Sequence, residues 1–112
     1  MPDLTMVALH SALDGLAARQ RTIADNVANL ETPGYLAGRV DFESSLSAAL
    51  AAGDPSQAGI TTRRSTAPTG VNGNNVQLDD ETMQLIETQL RYQLTTQAVT
   101  NKLGLLRTAI DG

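Results

Sequence analysis

Residues 78–110, LDDETMQLIETQLRYQLTTQAVTNKLGLLRTAI, decide the fold. The stretch holds no proline and one interior glycine, Gly104, so it reads as a single helix of roughly 48 Å at 1.5 Å per residue. Its start is marked: Asp79 suits the N-cap, Asp80 and Glu81 put negative charge in the first turn, and Leu78 can staple onto Met83. At about 100° per residue the apolar side chains fall into two stripes. Met83, Ile86, Leu90, Leu94, Ala98 and Leu105 share one side; Leu85, Tyr92, Val99, Leu103, Leu106 and Ile110 share the other. A helix apolar on two sides must be covered on two sides, and one partner helix covers only one. Between Thr88 and Asn101 the only charge is Arg91; Gln, Thr and Asn fill the other non-apolar positions. Such side chains can be buried if each finds a hydrogen-bond partner, which suits a helix inside an assembly; a plain polar face is the alternative.

The partner helix is residues 4–31. Met6, Leu9, Leu13, Leu16, Gln20, Ile23, Val27 and Leu30 alternate spacings of three and four, a heptad seam with one polar member. A second line, Ala8, Ser11, Gly15, Ala18, Thr22, Asn26 and Asn29, is short and uncharged. It is either a solvated face or a close-approach surface for another helix. Gly15 costs a helix on the order of 1 kcal/mol relative to Ala, so close packing would give it a purpose.

The rest of the 112 residues bounds the function. There is no cysteine, hence no disulfide and no thiolate metal site. A formal charge of -4 and a pI near 4.7 argue against nucleic acid as a main partner. No window approaches a membrane span, and the first residues lack the basic and apolar regions of a Sec signal peptide. An uncleaved export signal stays open.

Residue 31 closes the first helix because Pro33 pushes Thr32 out of the α conformation. Pro33-Gly34 suits the centre of a type II turn, which puts Tyr35 at a fixed place. A short helix should follow, capped by Asp41, with Glu43 in its first turn and Phe42, Leu46, Ala49 and Leu50 on one face. Phe42, the only phenylalanine, reads as an anchor. Residues 53–77 are rich in Gly, Pro, Ser, Thr and Asn and read as a loose arm, with Ile60-Thr61-Thr62 as an extended candidate and Asn72-Gly73 as a hairpin turn.

Catalytic chemistry finds little support. His10, the only histidine, has no neighbour in sequence to act with and is expected at the surface. Asp79, Asp80 and Glu81 are explained by the helix start rather than by a cation. Gly70 to Asn75 lacks the Lys-Ser/Thr of a phosphate loop. Arg63-Arg64 reads as solvated, or as facing an acidic neighbour. No nucleophile, base and orienter recur together, so neither an enzyme, a metal nor a cofactor is expected.

One run is more specific. Asn26, Ala28, Asn29, Thr32, Pro33, Gly34 and Tyr35 form Asn-x-Ala-Asn-x-x-Thr-Pro-Gly-Tyr, which resembles the N-terminal signature shared by bacterial flagellar rod, hook and hook-associated proteins, the basal-body rod family among them. A basic residue usually follows the tyrosine at once; here Leu36 stands there and the base is Arg39. Asn74-Asn75-Val76, Gln89-Leu90-Arg91-Tyr92-Gln93 and Leu106-Arg107-Thr108-Ala109-Ile110 resemble the C-terminal end of the family's proximal-rod B branch. The resemblance implies a structural subunit that leaves the cell through the flagellar type III export apparatus and polymerises helically into the basal-body rod. It implies contacts with its own copies, other rod proteins, the basal-body base and the export apparatus.

The expected architecture is all-α: terminal helices (1–31 and 78–112) paired as an antiparallel, coiled-coil-like hairpin, with a turn and short helix (32–52) and an arm (53–77) between them. Leu9, Leu13, Leu16, Ile23, Val27, Leu30, Phe42, Leu85, Ile86, Leu90, Tyr92, Leu94, Val99, Leu103, Leu106 and Ile110 are the expected packing and assembly residues. The short-residue line of the first helix and the second apolar stripe of the last are the expected inter-subunit surfaces. A small secreted helical hairpin acting as a dimer or effector, and a cytoplasmic helical adaptor, are the other readings.

Overall fold

Asp3 starts the first helix by accepting hydrogen bonds from the backbone N–H groups of Thr5 and Met6 at 3.0 and 3.4 Å. Helix α1, Leu4–Ala28, then runs without a break. The structure, a computed structural model, describes residues 3–111; Met1, Pro2 and Gly112, the outermost residues of the expected terminal segments, lie outside the described residues. Helix α1 ends three residues before the expected residue 31, where the Asn29 N–H closes on the Asp25 and Asn26 carbonyls. The Tyr35 N–H reaches the Thr32 carbonyl at 3.3 Å, and Gly34 sits at φ 73°, as a type II turn requires.

The chain is mostly helical but not strictly all-α. Strand β1, Gly38–Asp41, pairs antiparallel with β2, Thr61–Arg64, with Val40 opposite Thr62. Gly38 to Phe42 alternates by two, with Gly38, Val40 and Phe42 inward and Arg39 and Asp41 outward, a period a helix cannot satisfy. Asp41 therefore belongs to the strand and does not cap the short helix. Helix α2, Glu43–Ala51, has Phe42 at its N-cap with no side-chain capping bond. The extended Thr61-Thr62 segment exists, but its partner is β1 rather than a hairpin strand across Asn72-Gly73.

The arm is more ordered than its composition implies. A short 3₁₀ turn spans Pro55–Gln57, whose Pro55 carbonyl accepts from the Ser11 hydroxyl at 3.4 Å. Gly59 N–H donates to the Ser45 hydroxyl at 2.7 Å, and Arg63 pairs with Asp41 at 2.9 Å. Arg64 donates to the Leu36 carbonyl and lies over the Tyr35 ring. Pro55 and Val76 are buried, and the rest of the segment is held by hydrogen bonds and ion pairs, so a count of its apolar residues does not reveal its order.

Helix α3, Leu78–Asp111, begins two residues before an Asp79 cap would start it, so Asp79 is inside the first turn and is not the cap. Leu78 and Met83 are both exposed and form no buried staple. The two long helices run in opposite directions: Asn26 near the end of α1 meets Glu81 at the start of α3, and Asp3 meets Lys102. Beyond Lys102, nine residues of α3 project about 14 Å past the start of α1. The molecule is accordingly elongated, 63 × 26 × 14 Å.

The main buried cluster is Leu16, Val40 and Phe42, with Ala12 and Ala18 beside it, and Ile23, Ala37, Ala49 and Val76 are buried as well. Phe42 lies flat on Gly15: a Cβ at residue 15 would stand 2.4 Å from the ring. Gly38 also approaches α1 closely, its missing Cβ 2.8 Å from the Thr22 methyl. Ser11, Gly15, Ala18, Thr22, Asn26 and Asn29 thus form a close-approach surface, but the chain's own middle segments cover it. The expectation that this line meets a neighbouring subunit is overturned, because Phe42, β1 and the 70s loop occupy it.

Candidate functional site

The polar centre of the molecule is Asn26, fully buried near the end of α1. Its amide N–H₂ donates to the Gly38 carbonyl and to Glu81 Oε2, each at 3.0 Å. Its Oδ1 accepts from the Gly38 N–H at 2.8 Å and from the Tyr35 hydroxyl at 3.5 Å. Glu81, also 0 % exposed, is neutralised by Arg39 at 2.9 Å. A buried carboxylate is tolerated only with such partners. One asparagine therefore ties α1, β1 and the first turn of α3 together.

A second asparagine layer lies outside it. The Asn74 amide donates to the carbonyls of Asn29 and Thr32 at 2.8 Å each. Asn75 Oδ1 accepts from the Ala37 N–H at 2.7 Å, and its amide donates to the Ser65 and Ala67 carbonyls. The Gly34 N–H reaches the Asn72 carbonyl at 2.8 Å. The Asn29 side chain spans the helix end, donating to the Asp25 carbonyl and accepting from the Thr32 hydroxyl. Together these bonds clasp the turn after α1 to the segment that feeds α3.

Ion pairs join the helices lower down. Arg19 holds Glu43 through both guanidinium nitrogens, donates to the Val40 carbonyl at 2.6 Å and stacks on Phe42, 4.9 Å from its centroid. Arg91 of α3 bridges Glu43 and Glu87 at 3.5 and 2.7 Å. The Arg19 hydrogen bond holds the Glu43 carboxyl well below its usual range, at about 2.

The outer side of α3 has no cover. Met83, Ile86, Leu90, Leu94 and Leu105 are 55 to 71 % exposed. The threonine hydroxyls at 82, 88, 95, 100 and 108 each donate to the carbonyl four residues earlier, at 2.6 to 3.1 Å. Their donor needs are met within the helix; Thr88 is already buried, and the exposed Thr82, Thr100 and Thr108 can be buried against another surface at little polar cost. Among the described residues no cluster of three or more metal-ligating side chains forms. No described helix is long and apolar enough to cross a membrane. The arrangement clasps the segments together and presents surfaces.

Comparison with known proteins agrees with this arrangement. The family model of the flagella basal body rod protein matches residues 6–35, which are α1 and the turn after it. The flagellar basal body rod protein FlgB of Bacillus subtilis is 30 % identical, over 96 % of this chain and 94 % of its own length. FlgB of Cereibacter sphaeroides is 31 % identical over 84 % of each chain, and FlgB of Escherichia coli 30 % over 90 and 89 %. The chain belongs to the FlgB family of flagellar basal body rod proteins. It is a structural protein and not an enzyme. Membership disfavours the secreted hairpin and the cytoplasmic adaptor.

The FlgB-family motif lies at the clasp. Asn26 and Asn29 supply its side-chain bonds; Thr32, Gly34 and Tyr35 supply backbone and hydroxyl groups; Ala28 and Pro33 are exposed. Of the expected packing residues, Leu16, Ile23 and Phe42 are buried, and Leu9, Leu13, Leu30, Leu85 and Val99 are half-buried. Val27, Ile86, Leu90, Tyr92, Leu94, Leu103, Leu106 and Ile110 are exposed in the single chain. His10 is exposed. Sequence reasoning missed Glu81, Arg39, Asn74 and Asn75 as partners of the motif. Glu81 stood in a first turn where a dipole role sufficed, and no local pattern pairs it with a residue fifty-five positions earlier.

Proposed function

We propose that this structural subunit of the flagellar basal-body rod polymerises helically in the proximal rod, with the outer stripe of α3 packed on neighbouring subunits. In this reading α1 and α3 act as an antiparallel, coiled-coil-like hairpin, and the four expected segments form one structural unit. The subunit leaves the cell through the flagellum's type III export apparatus. It joins copies of itself, other rod proteins, the basal-body base and the export apparatus, lines the channel, and passes torque through helix contacts without a chemical step. The observation that carries this is the uncovered stripe Met83, Ile86, Leu90, Leu94 and Leu105; the stripe expected to meet neighbours instead shares the side that packs on α1, where its Leu85 and Val99 are half-buried. Burying each half-exposed side chain contributes on the order of 1–2 kcal/mol, so subunit contacts would add stability comparable to that of a small fold.

Leu90, in that stripe, and Leu103, on the stretch of α3 beyond the Lys102–Asp3 pair, test the proposal. Both are exposed, so Leu90→Asp or Leu103→Asp changes the stability of the single chain by about 0.5 kcal/mol or less. Each puts a charge where a neighbour would pack. The expected result is a variant with unchanged helicity that supports neither rod assembly nor motility. Normal motility with both variants would overturn the reading.

A further inference from the structure

Besides the outer stripe of α3, two apolar features among the described residues have no cover, and covalent geometry keeps them apart. The first is an open groove of about 460 Å³ between α1, α2 and α3, lined by Ala12, Leu16, Phe42, Leu46, Leu50 and Leu94. Its floor, Leu16 and Phe42, is buried, while Leu50 and Leu94 stand exposed on its rim. The second is the tail of α3 beyond the Lys102–Asp3 pair, where Leu103, Leu105, Leu106 and Ile110 are exposed. Leu94 and Ile110 belong to one continuous helix, which holds them about 24 Å apart. The tail therefore cannot fold back into its own groove.

We propose that the α3 tail of one copy seats in the α1–α2–α3 groove of the next copy. The lengths correspond: the overhang is nine residues, and α2, which forms one wall, is also nine residues. Gly104 fits the seat, since a Cβ there would meet nothing within 4 Å in its own chain and the bare backbone lets another helix come close. Tail and groove are different surfaces, so the contact is heterologous and propagates from copy to copy instead of closing on itself. The inference rests on the rod reading and deepens it by naming which surfaces of successive copies meet.

The absence of cysteine makes the test clean. Leu50→Cys and Leu106→Cys are introduced singly into the full-length chain, and Val71→Cys, fully exposed on the 70s loop, serves as the collision control. A disulfide forms only when the Cβ atoms come within about 4.5 Å. Mixed Leu50→Cys and Leu106→Cys proteins should cross-link roughly tenfold or more above either one mixed with Val71→Cys, because a seated pair has a far higher effective concentration than free copies. The double variant should give a ladder of bands. Equal yields in all mixtures, a 106–106 product alone, or a dimer with no ladder would each overturn the seat. Motility and recovery of the variants in isolated basal bodies separate this from the rod reading. Rods without the 50–106 cross-link reject only the seat; a chain absent from basal bodies rejects the rod reading itself.

Discussion

Exchanging Asn26 for aspartate changes almost nothing in shape and removes the two N–H donors at the centre of the clasp. Oδ1 still accepts from the Gly38 N–H, but the second oxygen now faces the Gly38 carbonyl and Glu81 Oε2, each 3.0 Å from the atom it replaces. Two carboxylates this close in a buried site hold one proton between them. Taking up that proton at about pH 7, against an unfolded value near 3.9, costs about 4 kcal/mol. Arg39, 2.9 Å from the other Glu81 oxygen, offsets part of it, leaving roughly 2–4 kcal/mol. That is a large share of the ~5–15 kcal/mol that holds a typical domain together. The introduced carboxyl has its folded value raised, so the penalty grows with pH by about 1.4 kcal/mol per unit above roughly pH 4. Urea unfolding of Asn26→Asp and the parent chain at about pH 5, 6 and 7 reads both magnitude and slope. A loss under about 1 kcal/mol at pH 7, or a difference that does not change with pH, would refute the clasp as the organising centre.

Further outcomes follow from the same contacts. Gly15→Ala drives a methyl to 2.4 Å from the Phe42 ring and should cost about 1–3 kcal/mol in thermal unfolding, and Phe42→Leu in the same chain should recover part of that loss. Glu43, held at about 2 by Arg19, contributes stability that is present above its ordinary value of 4.5 and is lost as pH falls toward about 2. Its side chain is nearly half exposed, so the contribution is on the order of 1 kcal/mol, and Glu43→Gln should remove that component from the acid-unfolding curve. Gly104→Ala should raise the stability or helicity of the single chain by up to about 1 kcal/mol, since nothing lies near the added methyl; a loss in circular dichroism melts would contradict the exposed tail.

The long elements were legible because their signals are local and repeated. The spacing of Leu9, Leu13, Leu16 and Ile23, and the unbroken run from Leu78, give two helices on periodicity alone. Pro33-Gly34 places the turn for the same reason. The sheet was not legible, since four residues of alternation in β1 are too few to outweigh a nearby helix pattern, and its partner lies twenty residues away. The short-residue line reads equally as a solvated face or a close-approach surface, and whether and what approaches is a tertiary fact that Gly15 alone does not carry. The same holds for Glu81. A carboxylate in a first turn satisfies the helix dipole whether or not it is buried, so its pairing with Asn26 and Arg39 leaves no local trace. Asn74 and Asn75 order the arm through single side-chain bonds, which composition reads as looseness.

Cryo-electron microscopy of isolated basal bodies tests the central claim most directly: α3 packs inward on α1 with one side and outward on neighbouring subunits with the other. The account predicts this chain in the rod, with Met83, Ile86, Leu90 and Leu94 covered by a helix of an adjacent subunit. A rod that lacks the chain, or holds it with that stripe facing solvent, would contradict it.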